Sequence, residues 1–229
     1  MDRAIAAIFD LDGTLLNGHV WLAVSQYHKL NRINRRWLYF YLLAHMPFYY
    51  LQRLHLMDVE RSRYLWARNM GWSLRGFNQA QAMDLFEWVA DEYIMPQLRQ
   101  DVVRRLRHHQ AQGHRTILLS GAFDGLLDVV GERLGVDGAL GTRLKQRNGR
   151  YVGSPLPPVC QGKGKVERLQ AYLSASSEGI DLAASYAYAD SLTDQPVLEL
   201  VGHPVAVYPE ENLATLADRR GWSILGTVS

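Results

Sequence analysis

The pattern of hydrophobic and polar positions divides the chain into a first strand, a long helical block and an alternating remainder. Residues 4–9 form a short apolar run, typical of a buried strand, that stops at Asp10. From residue 17 to about residue 95 the apolar positions recur at helical spacing, most clearly over 37–56, 58–70 and 79–94. Asp58 is placed to cap the second of these helices. This block has no convincing strand pattern, which predicts an all-helical insert after the first strand.

From residue 96 onward, short apolar runs alternate with helical patterns. Pro96 ends the insert, and Asn148-Gly149 predicts a hairpin turn. Strands are predicted near residues 114–119, 139–144, 185–189, 204–207 and 222–225, and helices over 101–113, 124–134, 163–173, 193–200 and 210–219. This alternation predicts an α/β fold with a doubly wound parallel sheet covered on both faces. We therefore expect a core formed by residues 1–16 and 96–229, and a helical domain formed by residues 17–95.

Composition narrows the class of partner. The 229 residues are 48% hydrophobic and 21% charged, which suits one core domain with a smaller insert. A net charge of +2 is too small to indicate a nucleic-acid partner, so we expect a small-molecule substrate, and the oligomeric state stays open. Cys160 is the only cysteine, which excludes an internal disulfide and fits a reducing compartment. Met-Asp-Arg leads directly into the first strand, so a cytoplasmic location is expected.

The segment from residue 37 to residue 51, WLYFYLLAHMPFYYL, is densely apolar and aromatic and is flanked by Arg35, Arg36 and Arg53. Such a pattern is also found in helices that lie at a membrane surface. The segment is too short to span a bilayer and is interrupted by His45 and Pro47. We expect a buried pair of insert helices kinked at Pro47, with a weak membrane contact as the open alternative.

Asp10 and Asp12 place two carboxylates two residues apart, at the end of the first predicted strand. In extended chain this spacing sends both side chains to the same side. Like charges this close in a partly dry cleft either hold a proton or need a cation, and a divalent ion is the simplest remedy. Taken alone, the pattern fits a solvated turn equally well.

Polar residues also follow two other predicted strands. Ser120 and Gly121 come after residues 116–119, and Asp190 and Asp194 come after residues 185–189. Because ligands of parallel sheets bind beyond the carboxyl ends of the strands, these residues are expected to converge with Asp10 and Asp12. Each could separately be a turn or a helix cap, but the convergence favours a site.

The stretch Gly162-Lys163-Gly164-Lys165 begins a predicted helix, where backbone N–H groups and a lysine favour an anion. It is not a phosphate-binding Walker A loop, because Val166 follows the second lysine. Carboxylates, a hydroxyl and a lysine together suit a metal ion and a phosphoryl group.

Four motifs occur in order along the chain: FDLDGTL at 9–15, LLSG at 118–121, GKGKV at 162–166 and ADSLTDQPVL at 189–198. In these motifs the chain resembles the haloacid dehalogenase superfamily of phosphohydrolases, and within it the branch of phosphoserine phosphatase and its relatives. The resemblance implies a Rossmann-like core, and the helical insert matches the cap of that branch.

The resemblance also implies roles for individual residues. Asp10 would be the nucleophile that becomes an aspartyl phosphate, and Asp12 would be the general acid and base. Mg²⁺ would be bound by Asp10, by the backbone carbonyl of Asp12 and by Asp190. Asp194 would fix the lysine or a metal-bound water. The phosphoryl oxygens would be held by Ser120, by the Gly121 amide and by either Lys163 or Lys165.

His19 stands where the phosphoserine phosphatases of that branch carry a glutamate that faces the substrate's ammonium group. His19 could therefore contact a different substrate, or it could be a loop histidine at the hinge of the cap. We expect an amino-alcohol or amino-acid-like phosphate as substrate, of the histidinol phosphate or phosphoserine type. The alternatives are a lipid head-group phosphatase at a membrane surface and a phosphate-binding module without turnover.

Overall fold

The computed structural model describes residues 3–54, 56–175 and 179–227, without the side chains of Val59 and Glu60. The strands are β1 (Ala6–Phe9), β2 (Arg115–Phe123), β3 (Gly138–Thr142), β4 (Leu144–Arg147), β5 (Arg150–Pro155), β6 (Tyr186–Ala189), β7 (His203–Val207) and β8 (Ser223–Leu225). Six of them form a parallel sheet in the order β3-β2-β1-β6-β7-β8. The predicted doubly wound α/β fold is confirmed. The strand order changes direction at β1 and β6, where such sheets bind ligands.

Helices cover both faces of the sheet and form the segment after β1. They are α1 (Val20–Leu30), α2 (Arg35–Arg53), α3 (Val59–Asn69), α4 (Gln79–Trp88), α5 (Gln100–Ala111), α6 (Asp124–Leu134), α7 (Lys163–Ala175), α8 (Gln195–Leu198) and α9 (Glu211–Arg220). Successive side chains of β1 point to opposite faces of the sheet: Ala7 and Phe9 pack in one apolar cluster, whereas Ala6 and Ile8 pack in the other.

The predicted insert helices are present, with shifted ends. Asp58 caps α3 by accepting a hydrogen bond from the Arg61 N–H at 3.2 Å, as expected. The predicted helix over 79–94 is α4 followed by a π-helical turn over Val89–Ile94. The predicted helix over 193–200 is only a 3₁₀ turn at Leu192–Asp194 followed by the short α8.

The expectation of a buried helix pair kinked at Pro47 is wrong. Residues 35–53 form one helix, α2, that contains Pro47. Pro47 lies on the exposed side, where water can bond the Leu43 carbonyl that the proline leaves without an N–H. In the described part of the chain, no helix is both long enough and apolar enough to cross a membrane.

The β4-β5 hairpin turns at Asn148 and Gly149, both with positive φ, as the sequence predicts. It is bonded to the insert: the Gly76 N–H donates to the Tyr151 carbonyl at 2.8 Å, and the Tyr151 N–H donates to the Phe77 carbonyl at 2.9 Å. Residues 17–95 therefore share backbone hydrogen bonds with the part of the chain predicted as core. The division at residues 16 and 96 stays a prediction.

Candidate active site

Three adjacent strands bring the predicted site residues together. β1 ends just before Asp10, and β6 ends just before Asp190. β2 runs four residues further than predicted, but its pairing with β3 shifts register between Leu119 and Phe123. Ser120 and Gly121 lie at this irregularity, beside Asp10 and Asp190 in the lining of one cavity. The convergence expected from the strand ends is therefore present.

A buried lysine joins two of the aspartates. Lys165 Nζ lies 2.7 Å from Asp10 Oδ1 and 2.5 Å from Asp194 Oδ1, and its side chain is only 3% exposed. Burial acts to lower the pKa of Lys165, but Asp10 and Asp194 outweigh this effect and hold the pKa above its ordinary value. Lys163, the other candidate, is exposed. The structure thus brings Lys165 to the aspartates and does not bring Lys163.

Asp10, Asp190 and Asp194 form a compact acidic cluster. One carboxylate oxygen from each lies within 4.8 Å of the other two. Thr14 links the cluster, since its hydroxyl lies 3.3 Å from Asp10 Oδ2 and 3.3 Å from Asp190 Oδ1. Burial raises the pKa of Asp10 to about 7, although Lys165 opposes this shift. Burial and the nearby charge of Asp10 raise the pKa of Asp190 well above its ordinary value.

Asp12 is turned towards the helical insert instead of towards this cluster. Its Oδ1 accepts a hydrogen bond at 2.7 Å from the N–H of Val20, the first residue of α1. Burial raises the pKa of Asp12 to about 6, against the opposing effect of this hydrogen bond. A carboxyl group with a pKa in this range can both give and take a proton near neutral pH.

Gly13 allows the Asp10–Thr14 turn to approach Asp190. Its φ of +76° lies in the left-handed region, and a Cβ at this position would come 2.1 Å from Asp190 Oδ2. Both the backbone angle and the lack of space therefore require glycine here.

A cavity of about 620 Å³ opens above the aspartates, between the sheet edge and the insert. Its lower wall is formed by predicted site residues: Asp10, Asp12, Ser120, Gly121, Lys165, Asp190 and Asp194. Its upper wall is largely apolar: Trp21, Tyr41, Leu42, Met46, Tyr49, Trp66 and Met70. His19 is exposed and lines the same cavity. The cavity lies in the size range of small-molecule sites.

Comparison with known proteins identifies the family. The model of the haloacid dehalogenase-like hydrolase family matches residues 7–199, which is most of the chain. The chain belongs to this family. As its motifs predict, it is a phosphatase of the haloacid dehalogenase-like hydrolases.

Individual relatives support this assignment. A Mycobacterium tuberculosis protein named phosphoserine phosphatase is 30% identical over 98% of this chain and 71% of its own length. A histidinol-phosphatase of Neisseria meningitidis is 26% identical, over 96% of this chain and 97% of its own. A crystal structure of a Bordetella pertussis protein of unknown function shares the fold, with a TM-score of 0.81 and 24% identity over 98% of this chain and 99% of its own.

Some residues of this haloacid dehalogenase-like site escaped the sequence analysis. Arg63 of α3 donates hydrogen bonds to Ser191 and to Glu210, which lie on the core side of the cavity. Arg63, Trp66, Ala67 and Met70 recur at helical spacing and all line the cavity. The signal in the sequence that could have indicated Arg63 is an arginine within an otherwise apolar helical stripe. Thr14 also escaped it, because no local pattern indicates that its hydroxyl lies between Asp10 and Asp190.

The acidic cluster fits the divalent cation that the family implies. Carboxylate oxygens are the ligands that Mg²⁺ prefers, and the cluster holds three of them. Lys165 is the one cation paired with them among the described residues. The raised pKa values of Asp10 and Asp190 reflect negative charge that burial disfavours, and a bound dication would offset it.

Proposed function

We propose that this hydrolase is a Mg²⁺-dependent phosphomonoesterase that works through an aspartyl phosphate at Asp10. The observation that carries the proposal is Lys165, buried between Asp10 and Asp194 at the base of the cavity. A buried ammonium group beside a carboxylate nucleophile can hold a phosphoryl group while that carboxylate attacks it. Cytoplasmic location stays a prediction, and the oligomeric state stays open.

The residues suggest a two-step reaction. A carboxylate oxygen of Asp10 attacks phosphorus in line with the ester oxygen, so that a P–O bond to Asp10 forms as the bond to the leaving alcohol breaks. Asp12 donates its proton to the departing alkoxide. In the second step Asp12 removes a proton from water, which attacks phosphorus and releases phosphate and free Asp10. The pKa of Asp12, raised to about 6, suits both transfers.

The remaining site residues would orient and neutralise the phosphoryl group. We assign phosphoryl contacts to Lys165, the Ser120 hydroxyl and the Gly121 amide, and orientation of Lys165 to Asp194. Asp10, Asp190 and the backbone carbonyl of Asp12 would hold Mg²⁺, with Asp194 next to it. When bound, the ion offsets the repulsion between an anionic nucleophile and an anionic phosphate.

For the substrate, amino-alcohol and amino-acid-like phosphates are the first candidates, because relatives carry the names histidinol-phosphatase and phosphoserine phosphatase. Within the described insert, no acidic side chain lines the cavity, so a substrate ammonium group would lack a partner there. An imidazole ring could instead pack against Trp21 and Trp66, whose ring centroids lie 5.9 Å apart. Histidinol phosphate also carries an ammonium group, so it is this aromatic wall alone that favours the histidinol phosphate type over phosphoserine.

A second candidate is a phosphomonoester with a long apolar group, such as a lipid phosphate. The observation that favours it is the apolar upper wall, which continues to the exposed side chains of Met46 and Tyr49 on α2. An acyl chain could leave the cavity along this path, whereas a small polar substrate would leave much of the wall without contacts.

Phosphate release from p-nitrophenyl phosphate, with Mg²⁺ and with a chelator, tests the reaction. We expect turnover that requires the metal and that Asp10→Asn abolishes without loss of fold. A chain that releases no phosphate with any divalent metal would instead be a phosphate-binding module. Histidinol phosphate, phosphoserine and lysophosphatidate, compared at saturating Mg²⁺ by kcat/KM, would then separate the substrate classes.

A further inference from the structure

The outward face of α2 is apolar although it faces solvent. We define the α2 face as these outward residues of the helix together with the capping residue Leu54: Tyr39, Phe40, Leu43, Met46, Pro47, Tyr50 and Leu54. Leu43 is 73% exposed, Tyr50 54% and Tyr39 52%. An exposed helix of a water-soluble domain normally turns polar residues outward. A contiguous apolar stripe of this length marks a surface that contacts something else.

The rotation of α2 about its axis is fixed by contacts on its inner side. The Tyr41 hydroxyl donates to the Trp66 carbonyl at 3.1 Å, and His45 Nδ1 lies 2.7 Å from the Tyr41 carbonyl. His45 Nε2 lies 3.1 Å from the Asn69 side-chain nitrogen. Tyr41 and His45 are both buried. The contacts to Trp66 and Asn69 hold α2 against α3, so burying the α2 face by rotation would leave the Tyr41 hydroxyl and His45 Nε2 without these partners.

Exposed basic residues lie at both ends of the α2 face. Residues 29–68 contain eight lysines and arginines but only two acidic residues. Because the whole chain has a net charge of +2, the residues outside this stretch are negative in total. Arg36 and Arg53 are exposed at the two ends of the face, and no charged residue lies between them. Lys29 and Arg32 are exposed just before α2. An apolar and tyrosine-rich stripe with basic ends fits the interface of an anionic bilayer.

We propose that the α2 face docks on an anionic lipid surface, with α2 parallel to the membrane plane. Apolar side chains would enter the boundary of the acyl chains, while Arg36 and Arg53 would pair with lipid phosphates. Met46 and Tyr49 join this surface to the cavity, so a docked enzyme would present its site to phosphates at the interface. Docking itself requires no turnover and is independent of the reaction proposed above.

A second copy of the chain fits the face less well. Antiparallel pairing of two α2 helices would bring Arg36 of one copy next to Arg53 of the other, and parallel pairing would bring equivalent arginines together. In both arrangements like charges meet without an acidic partner from the face.

Sedimentation with vesicles tests the proposal. We expect the protein to bind vesicles of phosphatidylglycerol and phosphatidylcholine in equal parts, and to bind phosphatidylcholine alone far more weakly. Leu43→Glu should weaken binding about tenfold or more, because it places a charge at the centre of the face. Met83→Glu is the matched control, since Met83 is an exposed residue of α4 outside the α2 face, and it should bind like the wild type.

Both variants should keep wild-type turnover of p-nitrophenyl phosphate and a wild-type circular dichroism spectrum. Absence of binding to anionic vesicles would overturn the proposal, as would equal losses in the two variants. A wild-type dimer that Leu43→Glu converts to a monomer would show that a second copy covers the face, and would also overturn it. Repeating the sedimentation with Asp10→Asn separates docking from catalysis, because that variant should bind vesicles even without turnover.

Discussion

Substituting each of the two lysines of α7 separately tests the reasoning about the site most directly. Lys165→Met removes the ammonium group and keeps a side chain of similar length, and Lys163→Met does the same two residues earlier. A phosphoryl oxygen at the 2.7 Å that separates Lys165 Nζ from Asp10 Oδ1 would attract the ammonium by about 6 kcal/mol, at an effective dielectric constant of about 20. Part of this is offset by desolvation. Loss of one such donor typically costs about 3–4 kcal/mol, or about 10²–10³-fold in kcat.

Lys163 is exposed, so its removal should change kcat by less than about twofold and stability by less than about 0.5 kcal/mol. Lys165→Met should also lower stability, because Asp10 and Asp194 lose their buried counter-ion. A loss of about 3–5 kcal/mol is typical, and it corresponds to roughly 10 °C in Tm for a domain of this size. Added Mg²⁺ should restore part of it.

The assay is phosphate release from p-nitrophenyl phosphate at saturating Mg²⁺ and at a temperature where both variants are folded, with Tm from circular dichroism. If Lys163→Met lost activity while Lys165→Met kept at least half of it, the assignment of Lys165 would be refuted.

Three further predictions follow from other contacts. Gly149→Ala places alanine at positive φ in open space and should cost about 1 kcal/mol in unfolding experiments, whereas Gly13→Ala should cost more and should also lose activity, because there the methyl group would meet Asp190. Burial lowers the pKa values of His28 and His109 to about 4, so the unfolded chain binds protons that the fold excludes. Each histidine should therefore cost about 2 kcal/mol of stability at pH 5, whereas the raised pKa values of Asp10 and Asp12 act in the opposite direction. The difference in urea-unfolding free energy between His109→Gln and the wild type should therefore shift by about 2 kcal/mol in favour of the variant from pH 7 to pH 5, and a difference that stays constant would contradict this. Arg63→Gln and Glu210→Gln should each raise KM two- to fivefold. The double variant should raise KM little more than either single variant does, because the half-exposed pair is expected to couple by about 0.5–1 kcal/mol. Additive effects on KM would argue against the contact.

Features with a local cause were predictable from the sequence. The Asp58 cap, the Asn148-Gly149 turn and the strand that stops at Asp10 each depend on neighbouring residues alone. The meeting of Asp10 and Asp190 followed from topology, because parallel strands end at the same edge.

Features set by tertiary packing were not predictable in the same way. Lys163 and Lys165 differ by about 200° around α7, and only the packing of that helix decides which one faces Asp10. Arg63 and Glu210 are far apart in the sequence, so no local pattern links them. The aromatic density of α2 indicated burial, but hydrophobicity cannot distinguish a face that packs on protein from one that is left exposed.

The hydrogen bond between Asp12 and Val20 has a consequence for the timing of the reaction. It attaches the proposed proton donor to the first turn of α1, the helix that connects the core to the rest of the insert. Burial raises the proton affinity of Asp12 more than this bond lowers it, so a movement of the insert that broke the bond and admitted water would lower that affinity. Asp12 would then lose its proton most readily while substrate enters, and hold it most firmly once α1 has returned. Opening and closing of the site would in this way set the acidity of the group that completes the chemistry.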